Sequence, residues 1–206
     1  MEWVSFIRQY AHRPRIVGAV APSSKYLAGK MVEDIDFGHA EYIVEYGPGT
    51  GVFTEKLLAK RKPHTVIILV EYNSIFYSML KEKYGREPNV HIIHDSAEHI
   101  DKYLAQYGIS QVDYFVSGLP FASLSAAVSS GILAKSQQYL KEDGKFITFQ
   151  YTLLKKGLIS RYFGEIRIKR EIRNFPPAYV FNCSAGVDNT EAKRGGNGEG
   201  NSFDRG

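Results

Sequence analysis

Five short apolar runs punctuate the chain at 41–46, 65–72, 89–94, 112–118 and 144–151, each rich in β-branched or aromatic residues. That pattern predicts short, buried strands. Between them, 52–62, 73–85, 96–107 and 122–140 have helical character, the last closing at "KEDG", where Gly144 is the expected stop. Strand and helix alternate, which predicts a parallel sheet with helices on both faces. The pattern then changes. A helix over 152–163 precedes "EIRIKREIRN", a "FPP" punctuation and "AYVFNCSAG", which read as two strands joined in an antiparallel pair. Upstream, 2–35 offers two helices: Trp3, Val4, Ile7, Tyr10 and Ala11 recur at helical spacing, and Ser23 or Ser24 caps the second. Residues 187–206 are polar and glycine-rich, so disorder is expected there. The expected organisation is N-terminal helices over 1–35 covering the ligand edge of the sheet, an α/β domain over 36–186, and a polar tail.

Composition narrows the class. With 206 residues, 44% of them hydrophobic, the chain can bury one core. A single cysteine, Cys183, excludes an intrachain disulfide and points to a reducing cytosol. The N-terminus lacks the charged-then-apolar order of a signal peptide, and no run of about 18 apolar residues occurs. The net charge of +4 is uneven. Residues 1–30 carry Arg8, Arg13, Arg15, Lys25 and Lys30 against Glu2, and 155–173 carry seven cations against Glu165 and Glu171. Two such regions can converge on one anionic partner, nucleic acid or an acidic membrane surface; each can equally be a solvated face.

Candidate chemistry begins at "VEYGPGTGVF". Gly47, Gly49 and Gly51 follow the first strand and open its helix, the place where an open α/β sheet binds ligands. The G-x-G-x-G spacing differs from the G-x-G-x-x-G of dinucleotide folds. Glu71 ends the second strand twenty residues after the last glycine, where a carboxylate can take ribose hydroxyls. Asp95 ends the third strand, where an acceptor can meet an adenine amine. Either carboxylate can instead cap the helix that follows it.

This ordered set resembles the class I S-adenosylmethionine-dependent methyltransferases over residues 40–183. The resemblance implies a Rossmann-like, seven-stranded, mostly parallel sheet with an antiparallel last strand. It implies S-adenosyl-L-methionine as cofactor, with Glu45, Gly47, Gly49 and Gly51 facing its methionine part, Glu71 the ribose, and Asp95 with Ser96 or Ala97 the adenine. No metal is expected. After the fourth strand stands "SGLPFASL". In amine-directed methyltransferases this position carries a turn whose carbonyls hold the acceptor N–H groups while an aromatic ring faces the nitrogen, here Gly118, Leu119, Pro120 and Phe121. The turn is close to the Asn-Leu-Pro-Tyr of ribosomal RNA adenine dimethylases, but Gly118 stands where that family has the asparagine that binds the adenine amine. That family also continues into a helical RNA-binding domain, where this chain has its polar tail. "FIRQYAHRPRIVGAVAPSSKYLA", "GPGTGVFT", "SGLPFASL", "FITFQYT" and "RNFPPAYVF" together are similar to the bacterial phospholipid N-methyltransferases, which methylate phosphatidylethanolamine.

A primary ammonium has a pKa near 10 like that of lysine, so the acceptor must lose a proton before its lone pair can attack. No residue is an obvious base; Tyr26 and His94 are the candidates, His94 being also readable as a satisfied strand-end histidine. Arg173 could hold a lipid phosphate bidentately. The expected setting is cytoplasmic, peripheral on the inner face of the membrane, with residues 2–15 as an amphipathic anchor and nucleic acid as the lesser alternative partner. A non-catalytic cofactor- or membrane-binding module remains the reading from another class.

Overall fold

The structure, a computed structural model, describes residues 24–186. The expected anchor helix over 2–15 and the polar tail fall outside these residues. Seven strands form one sheet in the order β3-β2-β1-β4-β5-β7-β6. They are β1 (Tyr42–Tyr46), β2 (Val66–Val70), β3 (Val90–Ile93), β4 (Val112–Ser117), β5 (Leu140–Gln150), β6 (Ile166–Glu171) and β7 (Ala178–Ser184). The first five are parallel, and β7 runs antiparallel to both β5 and β6. The expected class I methyltransferase fold is therefore present, with its terminal hairpin.

Among the described residues, six helices cover the faces: α1 (Lys25–Met31), α2 (Val52–Lys60), α3 (Ser74–Tyr84), α4 (Ile100–Gln106), α5 (Ala126–Tyr139) and α6 (Lys156–Ile159). Successive strand residues point to opposite faces, so β1 sends Ile43 into one core and Val44 and Tyr46 into the other. The first core joins Leu27, Met31, Phe53, Leu57 and Leu80 of α1–α3 to Ile67, Val116 and Ile147. The second joins Ile100, Leu104, Ile132, Leu133 and Ile159 of α4–α6 to Ile68, Phe115, Phe146 and Phe181. Each such side chain fully buried contributes about 1.5–3 kcal/mol. Caps set the helix starts: Ser24 accepts from Leu27 N–H, Asn73 from Ile75 and Phe76 N–H, and Ser125 from Val128 N–H.

Two expectations fail locally. The segment 122–140 does not stop at Gly144. Its helix ends at Tyr139, and β5 begins at once with Leu140. Gly144 lies inside that strand, where a Cβ would sit 2.8 Å from the Asp113 carbonyl oxygen. The glycine permits this close backbone approach where the β4–β5 register shifts between Val112 and Tyr114. The helix expected over 152–163 shrinks to Lys156–Ile159. Within that segment only Ile159 and Phe163 are buried, so there is an inward face for a single turn.

Candidate active site

The strand order reverses between β1 and β4, the topological switch point of the sheet. Register aligns Ile93, Val70, Tyr46, Ser117 and Thr148 across its carboxyl edge. The loops 47–51, 71–73, 94–99 and 118–121 leave from this edge together. Gly47, Gly49 and Gly51 all have positive φ, at 61°, 56° and 83°. They differ in what surrounds them. A Cβ on Gly51 would meet the Tyr84 hydroxyl at 2.9 Å, and one on Gly47 would meet Leu119 Cδ2 at 2.9 Å, whereas one on Gly49 would meet nothing within 4 Å. Gly49 thus lies against open space and offers a ligand its bare backbone.

Glu71 follows β2 and is buried. Gly49 N–H donates to its Oε2 at 3.0 Å and Asn73 N–H to its Oε1 at 2.8 Å. Burial pushes its pKa up, against the pull of those backbone N–H groups. Glu45 of β1 is fully buried; Thr54 of α2 donates its hydroxyl to Oε2 at 2.7 Å. Among the described residues its Oε1 has no hydrogen-bond partner. Burial, opposed by Thr54 and reinforced by the charge of Glu71, raises the Glu45 carboxyl to about 8. A buried oxygen without a donor, beside an open glycine backbone, fits a ligand that brings N–H donors and positive charge.

Asp95 is engaged locally. Its Oδ1 accepts from Ser96 N–H at 2.7 Å and lies 2.9 Å from His99 Nδ1, and its Oδ2 accepts from the Tyr103 hydroxyl at 2.7 Å. Burial pushes its pKa up, but these hydrogen bonds prevail and hold it at about 2. Ser96 caps a 3-10 turn, Ala97–His99, accepting from Glu98 N–H, and Ala97 is buried at its start. The cap of the turn that follows β3 is therefore Ser96, and Asp95 is tied to Ser96, His99 and Tyr103 at the sheet edge.

The acceptor turn departs from expectation in two details. The Leu119 carbonyl accepts from Phe121 N–H at 3.0 Å and from Gln150 Nε2 at 3.1 Å, so both its lone pairs are engaged. The Gly118 carbonyl is left as the candidate for an acceptor N–H. Phe121, fully buried, packs 6.3 Å from the Phe146 ring and presents no face to the crevice. Pro120 closes the turn, its carbonyl accepting from Ser123 N–H at 2.8 Å.

The remaining candidates scatter. His94 Nε2 lies 3.1 Å from the Tyr72 carbonyl oxygen and its ring stacks on Tyr77, a satisfied strand-end histidine. Tyr26 lies under Arg173, whose guanidinium carbon is 4.3 Å from the ring centroid. The side fork of Arg173, Nε and Nη2, is already taken by the buried Glu171 carboxylate at 3.0 Å each. A phosphate therefore meets only its end-on edge. A shallow depression lined by Asp36, His39, Asp113 and Asp143 lies at the opposite, amino edge of the sheet.

A family model described as ribosomal RNA adenine dimethylase matches residues 23–164, more than half of the chain. The chain belongs to that family. It is a class I methyltransferase that uses S-adenosylmethionine. An ornithine lipid N-methyltransferase of Singulisphaera acidiphila is 28% identical over 180 residues, 86% of this chain and 93% of its own length. A ribosomal RNA small subunit methyltransferase A of Ureaplasma urealyticum is 26% identical over 148 residues, 71% of this chain but 49% of its own length, so the chain spans about half of that relative. Among solved structures, the Burkholderia thailandensis 1,6-didemethyltoxoflavin-N1-methyltransferase, with 1,6-didemethyltoxoflavin and S-adenosylhomocysteine bound, superposes with a TM-score of 0.66 at 14% identity, covering 89% of this chain and 87% of that one.

In this dimethylase-family chain, sequence reading missed Thr54, Gln150 and Glu171, the buried polar groups that hold Glu45, the Leu119 carbonyl and Arg173. A signal existed for two. Thr54 interrupts the apolar face of α2, and Gln150 follows Phe146 and Thr148 on the inward side of β5. Among the described residues, no helix is long and apolar enough to cross a membrane, and no group of His, Cys, Asp or Glu is placed to hold a metal.

Proposed function

We propose that this chain transfers a methyl group from S-adenosylmethionine to the primary amine of a lipid head group of the phosphatidylethanolamine type, at the inner face of the cytoplasmic membrane. The observation that carries the reading is the contact between Gly118 and Gly47. A Cβ at 118 would lie 2.7 Å from the Gly47 carbonyl oxygen, so this backbone has no room for the asparagine that reads an adenine amine in the RNA enzymes. The relative named for a lipid amine is also matched over nearly its full length, whereas the RNA methyltransferase extends well beyond the match.

Bound cofactor would supply an electrophilic methyl on a sulfonium sulfur: the ammonium acceptor first gives one proton to solvent, and the N–C bond then forms as the S–C bond breaks, leaving S-adenosylhomocysteine and a methylammonium. The residues of the chain bind and orient. Glu71 takes the ribose hydroxyls with the lone pairs its backbone donors leave. Glu45 faces the cofactor's ammonium, whose charge favours release of the Glu45 proton. The bare backbone at Gly49 admits the methionine chain, and Asp95, Ser96 and Ala97 bound the adenine. The Gly118 carbonyl aligns the acceptor N–H, and alignment supplies most of the acceleration because the methyl is already activated.

Incubating the protein with radiolabelled cofactor and separate pools of phosphatidylethanolamine, ornithine lipid and ribosomal RNA tests this. Label in a lipid amine is expected. Label in RNA adenine alone would overturn the lipid reading, and label in ornithine lipid alone would move the acceptor to another amine head group.

A further inference from the structure

The parallel run of β5 and β6 brings two loops to the carboxyl edge of the sheet, on the acceptor side of the switch point. Gln150, Tyr179 and Arg170 lie in one row across β5, β7 and β6. The β5–α6 loop and the β6–β7 turn therefore leave the sheet at one edge, two strand spacings, roughly 10 Å, apart. Both carry large apolar side chains in solvent: Leu154 is 84% exposed, Phe175 78% and Ile172 68%. Globular surfaces seldom gather such groups without a partner.

Their exposure is built in. The turn is fixed from beneath by two buried polar side chains. Asn174 Oδ1 accepts from Ser24 N–H at 3.0 Å, and its Nδ2 donates to the Pro176 carbonyl at 2.7 Å. Glu171 accepts from Arg173 N–H at 2.9 Å and holds the guanidinium over the Tyr26 ring. Ile172 and Phe175 flank these pinned residues and stay outward. The charge of the β5–α6 loop has one sign: residues 151–162 contain Lys155, Lys156 and Arg161 and no carboxylate, while in the β6–β7 turn the Glu171 carboxylate pairs with Arg173 and leaves only the end-on edge of its guanidinium. Apolar tips ringed by cations are the composition of an interfacial lipid contact.

We propose that this rim, formed by the β5–α6 loop and the β6–β7 turn, docks on membranes carrying acidic lipids, with Leu154, Ile172 and Phe175 entering the interfacial layer while Lys155, Lys156 and Arg173 meet the head groups. The proposal deepens the lipid-amine reading and rests on it for its purpose: docking here turns the crevice toward head groups in the bilayer plane. The contact itself is measured without any methyl transfer.

The test uses the full chain and vesicles of phosphatidylcholine with phosphatidylglycerol. Wild type is expected to sediment with them, less so at high salt. The triple variant Leu154→Ser/Ile172→Ser/Phe175→Ser is expected to partition about tenfold more weakly or worse. Lys155→Gln/Lys156→Gln is expected to lose the salt-sensitive part. Melting temperature and cofactor affinity report that each variant is folded, and Phe175→Ser alone, with a partial loss, serves if the triple variant is not. Failure of wild type to sediment, or full sedimentation of the triple variant, would overturn the proposal. So would vesicle-independent binding of a stem–loop RNA that the lysine variant abolishes. Methyl transfer to a dispersed short-chain phosphatidylethanolamine separates the two readings. If it proceeds equally in wild type and triple variant while vesicle binding is lost, both hold; if it is absent in both while the loss remains, docking stands and the acceptor assignment falls.

Discussion

Gly118 and Gly47 meet back to back across the switch point, Gly118 N–H donating to the Tyr46 carbonyl at 2.8 Å while a Cβ at 118 would come within 2.7 Å of the Gly47 carbonyl oxygen. The obstacle is backbone, which cannot swing aside as a side chain would. Gly118→Ala is expected to destabilise by about 1–3 kcal/mol, as overpacking does, lowering the melting temperature by roughly 2–4 °C per kcal/mol. Gly118→Asn is expected to do the same without producing adenine methylation. A Gly118→Asn protein that melts like wild type and methylates RNA would show that the loop adapts.

Glu71 holds the glycine loop through Gly49 N–H, and in the proposed complex it also holds the ribose. Two substitutions separate these duties. Glu71→Ala removes both and is expected to weaken cofactor binding about tenfold to a hundredfold, the value of one or two charged hydrogen bonds. Glu71→Gln keeps an acceptor but loses the charge, and should fall between. Isothermal calorimetry that finds the three proteins equal would take Glu71 out of the site.

Glu45 and Glu71 both have pKa values raised above the ordinary 4.5, Glu45 to about 8. The unfolded chain releases these protons at lower pH than the folded one does. Their contribution to stability is therefore full below about pH 4.5 and is lost as pH rises through the folded-state values, about 8 for Glu45. Asp95, held at about 2 against 3.8, acts in the other direction, and its contribution is lost only as pH falls through that lower range. The urea midpoint of the wild type is expected to drop between about pH 5.5 and about pH 8, and to drop less in Glu45→Gln, which cannot ionise. Equal slopes would mean that Glu45 is already charged in the folded protein.

Periodicity revealed the sheet, its helices and the terminal hairpin because apolar alternation and cap residues are local properties. The glycine loop and the carboxylates after β2 and β3 were legible for the same reason: position along a βα unit fixes position at the carboxyl edge. Side-chain direction within the acceptor turn was not. "GLPF" reads the same whether Phe121 turns to the ligand or into the core, and the choice is made by Phe146, distant in sequence. Phe121→Ala is accordingly expected to cost about 3–5 kcal/mol in unfolding free energy, as for a buried phenylalanine. A stable variant whose turnover alone collapses would instead put the ring against the acceptor.

Gln150 is the residue through which β5 reaches the acceptor turn. Its Nε2 donates to the Leu119 carbonyl at 3.1 Å and lies 3.4 Å from Thr148 Oγ1, with the side chain buried. The Thr148 hydroxyl in turn donates to the Ser117 carbonyl at 3.1 Å, so β5 holds the chain on both sides of Gly118. Gln150→Leu keeps the bulk and removes the donor; Leu119 O retains its bond from Phe121 N–H, so the stability loss should be modest, about 0.5–1.5 kcal/mol. The tether ends on Leu119, directly after Gly118, so its loss acts first on the acceptor turn. A shift of the turn by about 1 Å is enough to cost on the order of a hundredfold in rate where alignment dominates. Gln150→Leu is therefore expected to lower turnover by about tenfold to a hundredfold while cofactor affinity stays within about twofold. Steady-state kinetics on a lipid amine, paired with calorimetry on the cofactor alone, separates the effects. Parallel losses in both would mean that Gln150 supports the fold as a whole, and unchanged turnover would remove the 118–121 turn from acceptor alignment.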